Sequence, residues 1–124
     1  MDEDGAVVIV SAMREHMDDR NVIQNGAGAL ANLSASNEQK MTVASAGAIQ
    51  VLLPAMQQNA EVTRVQAACL CALANLSMNE ATKALLASSG GTIIILHAMR
   101  ENLNHEQIVL DGCVALWNLM DTTI

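Results

Sequence analysis

Apolar residues in this chain recur at helical spacing, and the small and unbranched side chains among them suit close helix packing and poorly suit strands. Between residues 62 and 77, Val65, Cys69, Leu73 and Leu76 follow one another at steps of four, four and three, with Ala68 and Ala72 beside them. That spacing marks an amphipathic helix with a small-sided buried face. Small side chains let neighbouring helices approach closely. The same reading predicts helical segments over 19–34 and 105–120. A second type of segment covers 48–58, with counterparts near 6–15 and 92–101. A third, shorter type covers 36–46 and 79–89. Ser36 and Asn79 suit the N-cap of the short segments, and Ser36 with Gln39 makes an S-x-x-Q capping pattern. Gly47 and Gly90 then stop those segments, because glycine takes the left-handed conformation with little strain. Polar stretches at His16-Met17-Asp18-Asp19, Asn59-Ala60-Glu61 and Asn102-Leu103-Asn104 separate the second type from the longest one. Pro54 falls inside the 48–58 segment, where Ser11 and His97 occupy the equivalent positions. It is expected to disturb that helix, since it offers no N–H to the Gln50 carbonyl and its ring crowds the preceding turn.

These segments are copies of one another, 43 residues apart. Ala12-Met13 returns as Ala55-Met56 and Ala98-Met99. Ala29-Leu30-Ala31-Asn32-Leu33 returns as Ala72-Leu73-Ala74-Asn75-Leu76 and Ala115-Leu116-Trp117-Asn118-Leu119. Lys40 and Lys83, Ser45 and Ser88, and Gly47 and Gly90 keep the step without a gap. A helical repeat of this length predicts an all-α stacked solenoid. The expected organisation is one domain over 1–124, with a partial repeat at about 4–35 lacking its short helix and two complete repeats at 36–78 and 79–124.

Composition supports this and narrows the chemistry. Over half of the 124 residues are apolar, yet there is no Phe, no Tyr and a single Trp, so the core must come from Leu, Ile, Val, Ala and eight Met. The formal charge is −7, with acidic groups at Asp2-Glu3-Asp4 and Asp18-Asp19. That balance argues against a nucleic-acid ligand, which needs a basic stripe. It leans towards basic or cationic peptide partners, beside the plain role of keeping an apolar solenoid soluble. Three cysteines without a CxxC or a Cys/His ligand spacing fit reduced thiols in the cytoplasm, with the nucleus as the other compartment. No apolar run approaches the roughly 20 residues that span a bilayer, and no signal-peptide pattern is read.

The repeated residues carry a family resemblance. Gly47-Ala48-Ile49, an apolar helix, a polar turn and a helix closing on Ala72-Leu73-Ala74-Asn75-Leu76-Ser77 together resemble the armadillo repeat. The copy with Ala98-Met99 and Gly112-Cys113-Val114-Ala115-Leu116-Trp117-Asn118-Leu119 is similar to armadillo arrays of single-celled eukaryotes. The resemblance covers the chain from Asp4 onward. It implies three helices per repeat, a right-handed α-α superhelix, and a concave groove lined by the third helices. It also implies that Asn32, Asn75 and Asn118 form a ladder binding the backbone of an extended peptide. An amide suits this, offering both donor and acceptor to a peptide bond. An Asn late in a helix can equally bond local backbone. The chain departs from nuclear-transport members of the family, which carry Trp four residues before each Asn. Here Gly28, Cys71 and Val114 stand there, and the aromatic walls that hold Lys and Arg stems are missing.

Helical spacing places Asn21, Asn25 and Gly28 on the face of Asn32. Likewise Arg64, Ala68 and Cys71 share the face of Asn75, and Gln107, Asp111 and Val114 that of Asn118. Leu30, Leu73 and Leu116, two residues before each Asn, are expected to be buried. No catalytic set emerges: His16, His97 and His105 fall at different repeat positions, and Glu15, Asp18 and Asp19 read as a solvated turn. The expected function is a non-enzymatic protein-interaction scaffold without cofactor or metal, binding a peptide or partner protein. The alternative is a self-assembling, excised or engineered array with no groove ligand. Trp117 and Met120 lie on neighbouring turns of one side of the last helix and form a candidate interface between copies. In a monomer, residues 121–124 would instead fold over the Leu119 side as a cap.

Overall fold

The structure, a computed structural model, describes residues 3–120. They form eight helices: α1 (Glu3–Glu15), α2 (Arg20–Leu33), α3 (Asn37–Ser45), α4 (Ala48–Gln58), α5 (Thr63–Leu76), α6 (Glu80–Ser88), α7 (Gly91–Glu101) and α8 (Glu106–Leu119). No strand occurs among the described residues. The fold is the all-α repeat architecture that the 43-residue register predicts. The tail 121–124, the cap that a monomer would use as the alternative to association, lies outside the described residues.

Local chemistry sets the boundaries. Asp19 Oδ1 accepts from the backbone N–H groups of Asn21 and Val22 at 2.9 and 3.2 Å, and opens α2. Ser36 Oγ accepts from Gln39 N at the start of α3. Asn79 Oδ1 accepts from the N–H groups of Ala81 and Thr82 at the start of α6. His105 Nδ1 accepts from Ile108 N and opens α8, which gives this histidine a structural use. Each cap satisfies N–H groups that the first helical turn leaves unpaired. Gly47 and Gly90 sit at φ 98° and 83°, turning the chain from α3 into α4 and from α6 into α7. A side chain is strained at such angles.

Like helices stack on like. α1 packs on α4 and α4 on α7; α2 packs on α5 and α5 on α8; α3 packs on α6. The core runs through the stack, and the predicted face of α5 lies at its centre: Val65, Cys69, Leu73 and Leu76 are fully buried. Leu30 is buried too, but Leu116 is only partly so, because α8 has no helix on its outer side among the described residues. Close approach is visible at two glycines. A Cβ on Gly26 would meet the Met13 side chain at 2.5 Å, and one on Gly112 would meet that of Met99 at 2.4 Å. The repeated Met of the second helix therefore lies across a glycine of the third. Cys69 holds that register in the middle repeat.

Two buried polar side chains tie off helix ends. Lys40 Nζ donates to the Ser34 and Ala35 carbonyls at 2.7 and 3.3 Å, just beyond α2. Gln66 Nε2 donates to the Met56 and Asn59 carbonyls, both at 2.9 Å, at the end of α4. The expectation for Pro54 fails: α4 runs unbroken through it. Burial of Val51, Leu52, Leu53, Ala55 and Met56 holds the helix in place. Gln50, whose carbonyl loses its partner, is exposed, so water can take the place of the missing N–H.

Candidate functional site

The third helices α2, α5 and α8 lie side by side, and the predicted polar positions fall across them. Asn32 is exposed; Asn75 and Asn118 are half-buried. Two of the three amides are already engaged. Asn75 Nδ2 donates to the Ala31 carbonyl of the preceding repeat at 2.9 Å. Asn118 Nδ2 donates to Ser77 Oγ at 3.0 Å. Sequence reasoning weighed a peptide contact against a bond within the same helix and missed this third use, a link between repeats. The signal was present: a fixed 43-residue step sets each Asn against the end of the helix one repeat earlier. Oδ1 of both residues is left to accept a further hydrogen bond. Asn32 makes no hydrogen bond through its amide among the described residues.

The neighbours on this face are unequal. Arg64 Nε donates to Gln24 Oε1 at 2.8 Å, and Arg64 Nη2 lies 3.4 Å from Asn21 Oδ1, so the guanidinium reaches back over α2. It borders an open cavity of about 530 Å³ formed with the turn carrying Glu15, Asp18 and Asp19. Asp19 there is occupied as a helix cap. Asn25 is exposed, and a Cβ on Gly28 would meet nothing within 4 Å. Cys71 and Val114 are half-buried. Asp111 accepts from Gln107 Nε2 at 3.0 Å through Oδ1, while its Oδ2 is shielded from solvent without a partner among the described residues. A shielded, unpaired carboxylate oxygen is costly and calls for a donor. Trp117 on α8 is 81% exposed, and Met120, the residue that follows the helix, is exposed as well.

The thiols separate by environment. Burial pushes the Cys69 pKa up to about 12. Burial, and then the Asp111 charge, raise that of Cys71. Cys113 is exposed. Iodoacetamide at pH 8 is therefore expected to label Cys113 first and Cys71 slowly, with Cys69 labelled only on unfolding, as read by peptide mass spectrometry. Because the Asp111 charge holds protons on Cys71, Asp111→Asn should speed Cys71 labelling severalfold. An unchanged rate would mean that Asp111 does not act on that thiol. Among the described residues, no group of three His, Cys, Asp or Glu side chains is placed to hold a metal ion. Nor is any helix long and apolar enough to cross a membrane.

Stacked helical repeats with a polar row across one set of helices define an α-solenoid repeat array. The family follows from the middle repeat: residues 36–78 match the armadillo/beta-catenin-like repeat, and this segment is an armadillo repeat. No curated protein and no solved structure matches the chain. Armadillo repeats are typically non-enzymatic, and they serve as protein-interaction scaffolds that bind protein partners.

Proposed function

We propose that this chain is a single armadillo domain, spanning 1–124, that holds an extended peptide or partner segment along α2, α5 and α8. The observation that carries the reading is the row of side chains with unspent bonding capacity on one face. Asn75 and Asn118 keep a free Oδ1, Asn32 keeps its whole amide, and Asp111 Oδ2 lacks a donor. Backbone N–H groups of a bound peptide suit the amide oxygens. The Asp111 carboxylate, its Oδ1 taken by Gln107 and its Oδ2 shielded, attracts a lysine or arginine of the peptide by its charge, and the net charge of −7 draws such a peptide in. With half-buried Cys71 and Val114 where other armadillo grooves carry aromatic walls, specificity rests on this carboxylate and on backbone contacts. Three cysteines without ligand spacing suit a reducing compartment, and the cytoplasm, with the nucleus as the other candidate, is the setting we assign to the domain.

A library of unstructured peptides with and without basic residues tests this reading. Basic members should bind preferentially, and more weakly as salt is raised. Asp111→Asn should weaken them about tenfold, equivalent to about 1.4 kcal/mol. Asn75→Ala should also weaken binding, but it removes the link to Ala31. Asn32→Ala breaks no bond within the chain and is the clean control for the amide row. Affinities unchanged by Asp111→Asn and Asn32→Ala together would sink the proposal.

A second reading, association between copies of the chain, is favoured by the 81% exposure of Trp117 on α8, since a large apolar ring left in water is stabilised by burial.

A further inference from the structure

The two internal junctions of the stack describe what its outer faces are built to receive. At each junction, a residue on one face is covered by the next repeat. Val10 and its register partner Leu53 are 1% and 4% exposed, whereas Leu96, one repeat further on, is 38% exposed. On the opposite face, Val51 is fully buried, whereas Val8, one repeat earlier, is 65% exposed. The outer face of α7 and α8 and the outer face of α1 and α2 are thus the two halves of a contact that the chain makes twice internally.

The side chains on these outer faces differ in size from those at the internal junctions, and they differ in opposite directions. Ala31 and Ala74 are buried on α2 and α5 towards the next repeat; Trp117 stands in the same register on α8. On the receiving face, Cys71 and Val114 lie one turn before Asn75 and Asn118; Gly28 stands in that register on α2, with open space where its Cβ would be. The hydrogen bond from Asn75 to the Ala31 carbonyl marks the pairing of the two faces at the first junction; at the second, Asn118 donates to Ser77 Oγ, which itself donates to the Ala74 carbonyl. Within the chain, the register of Trp117 holds a small residue, Ala31 or Ala74, and the register of Gly28 holds a larger one, Cys71 or Val114. Between outer faces, the largest side chain of the chain meets a glycine.

We propose, resting on the second reading above, that copies of this chain stack head to tail, with Trp117 of one copy seated over Gly28 of the next. Asn32 of the receiving copy then donates to the Trp117 carbonyl, as Asn75 does to that of Ala31. Leu110 on α8 and Met120 just after it, both exposed, flank the seat. A contact that joins unlike faces does not close on itself as a two-fold dimer would, so the assembly grows with concentration. Gly28 and Trp117 are each a poor choice alone: a mid-helix glycine weakens its helix and an exposed Trp invites aggregation. Together they make a knob and its hole.

Analytical ultracentrifugation from micromolar to millimolar concentration, with circular dichroism to confirm folding, reads the result. The unmodified chain should form a ladder of species. Trp117→Ala removes the knob and Gly28→Trp fills the hole. Both positions are open to solvent or space, so both variants should fold, and each alone should weaken association at least tenfold. An equimolar mixture should form one-to-one dimers and nothing larger, because Gly28→Trp keeps the knob and Trp117→Ala keeps the hole. If Trp117→Ala abolishes association while Gly28→Trp does not, copies meet through α8 alone; self-association survives and the head-to-tail arrangement falls. A monomer at every concentration overturns both.

Discussion

Leu73→Ala should cost about 3–5 kcal/mol, among the largest losses any single truncation can cause in this chain. Leu73 sits in the third helix of the middle repeat and is fully buried. α5 packs against α2 on one side and α8 on the other, with α4 across it. Removing the isobutyl group loses its transfer free energy and leaves a cavity enclosed on every side, which neighbouring helices cannot close without giving up other contacts. The same substitution one repeat later has a different outcome. Leu116 keeps the 43-residue register but is only partly buried, so the outer side can relax or fill with water. Leu116→Ala should cost about half as much, by the same reasoning. Urea unfolding of both variants checks this, with the midpoint shift read at constant slope. Equal losses at Leu73 and Leu116 would show that α8 is covered on its outer side in solution. That result would bear on the stacking of copies as well, so the comparison belongs at the lowest workable concentration.

The contrast between Leu73 and Leu116 shows what the sequence made legible and what it did not. Helix existence, type and most boundaries were readable, because apolar spacing agreed across the three copies, and the Ser36 and Asn79 caps and the two left-handed glycines agreed in the two copies that carry a short helix. The repeat register made the stacking of like helices on like readable. Burial at a given register was not, because it depends on how many neighbours a helix has rather than on its own pattern. The effect of Pro54 was misread for a related reason. A local rule about a missing N–H was outweighed by five buried neighbours in α4, beside an exposed Gln50. In the candidate site, the row of Asn residues was visible, but not that two of its amides already bind the preceding repeat. Nor was Asp111 Oδ2 visible as an unpaired acceptor, since that depends on the fall of side chains from two helices. Lys40 is the sharpest case. The repeat of Lys40 at Lys83 marked the position, yet nothing in the pattern shows that an ammonium in a polar segment turns inward.

Lys40→Met should therefore destabilise the chain by about 2–3 kcal/mol at neutral pH, although it replaces a charged residue by an apolar one of similar length. The Lys40 side chain is buried at the junction of α2 and α3 and donates to the Ser34 and Ala35 carbonyls. Methionine fills the space but donates nothing, leaving carbonyls beyond the end of α2 without that partner. The pH dependence separates this account from simple packing. Burial lowers the pKa of Lys40 below its ordinary value of 10.5. Between its folded pKa and 10.5, the unfolded chain binds more protons at this site than the folded chain. Stability from Lys40 therefore rises with pH through that window, as the charge that burial penalises is shed. A neutral amine keeps two N–H groups for the two carbonyls. The gap between the native chain and Lys40→Met should thus widen as pH approaches 10.5, with contributions from other titrating groups cancelling in the difference. Urea midpoints of the two proteins across pH 7 to 10.5 decide the matter. A gap that narrows towards high pH would mean that the ammonium charge, rather than the donated hydrogens, stabilises the end of α2.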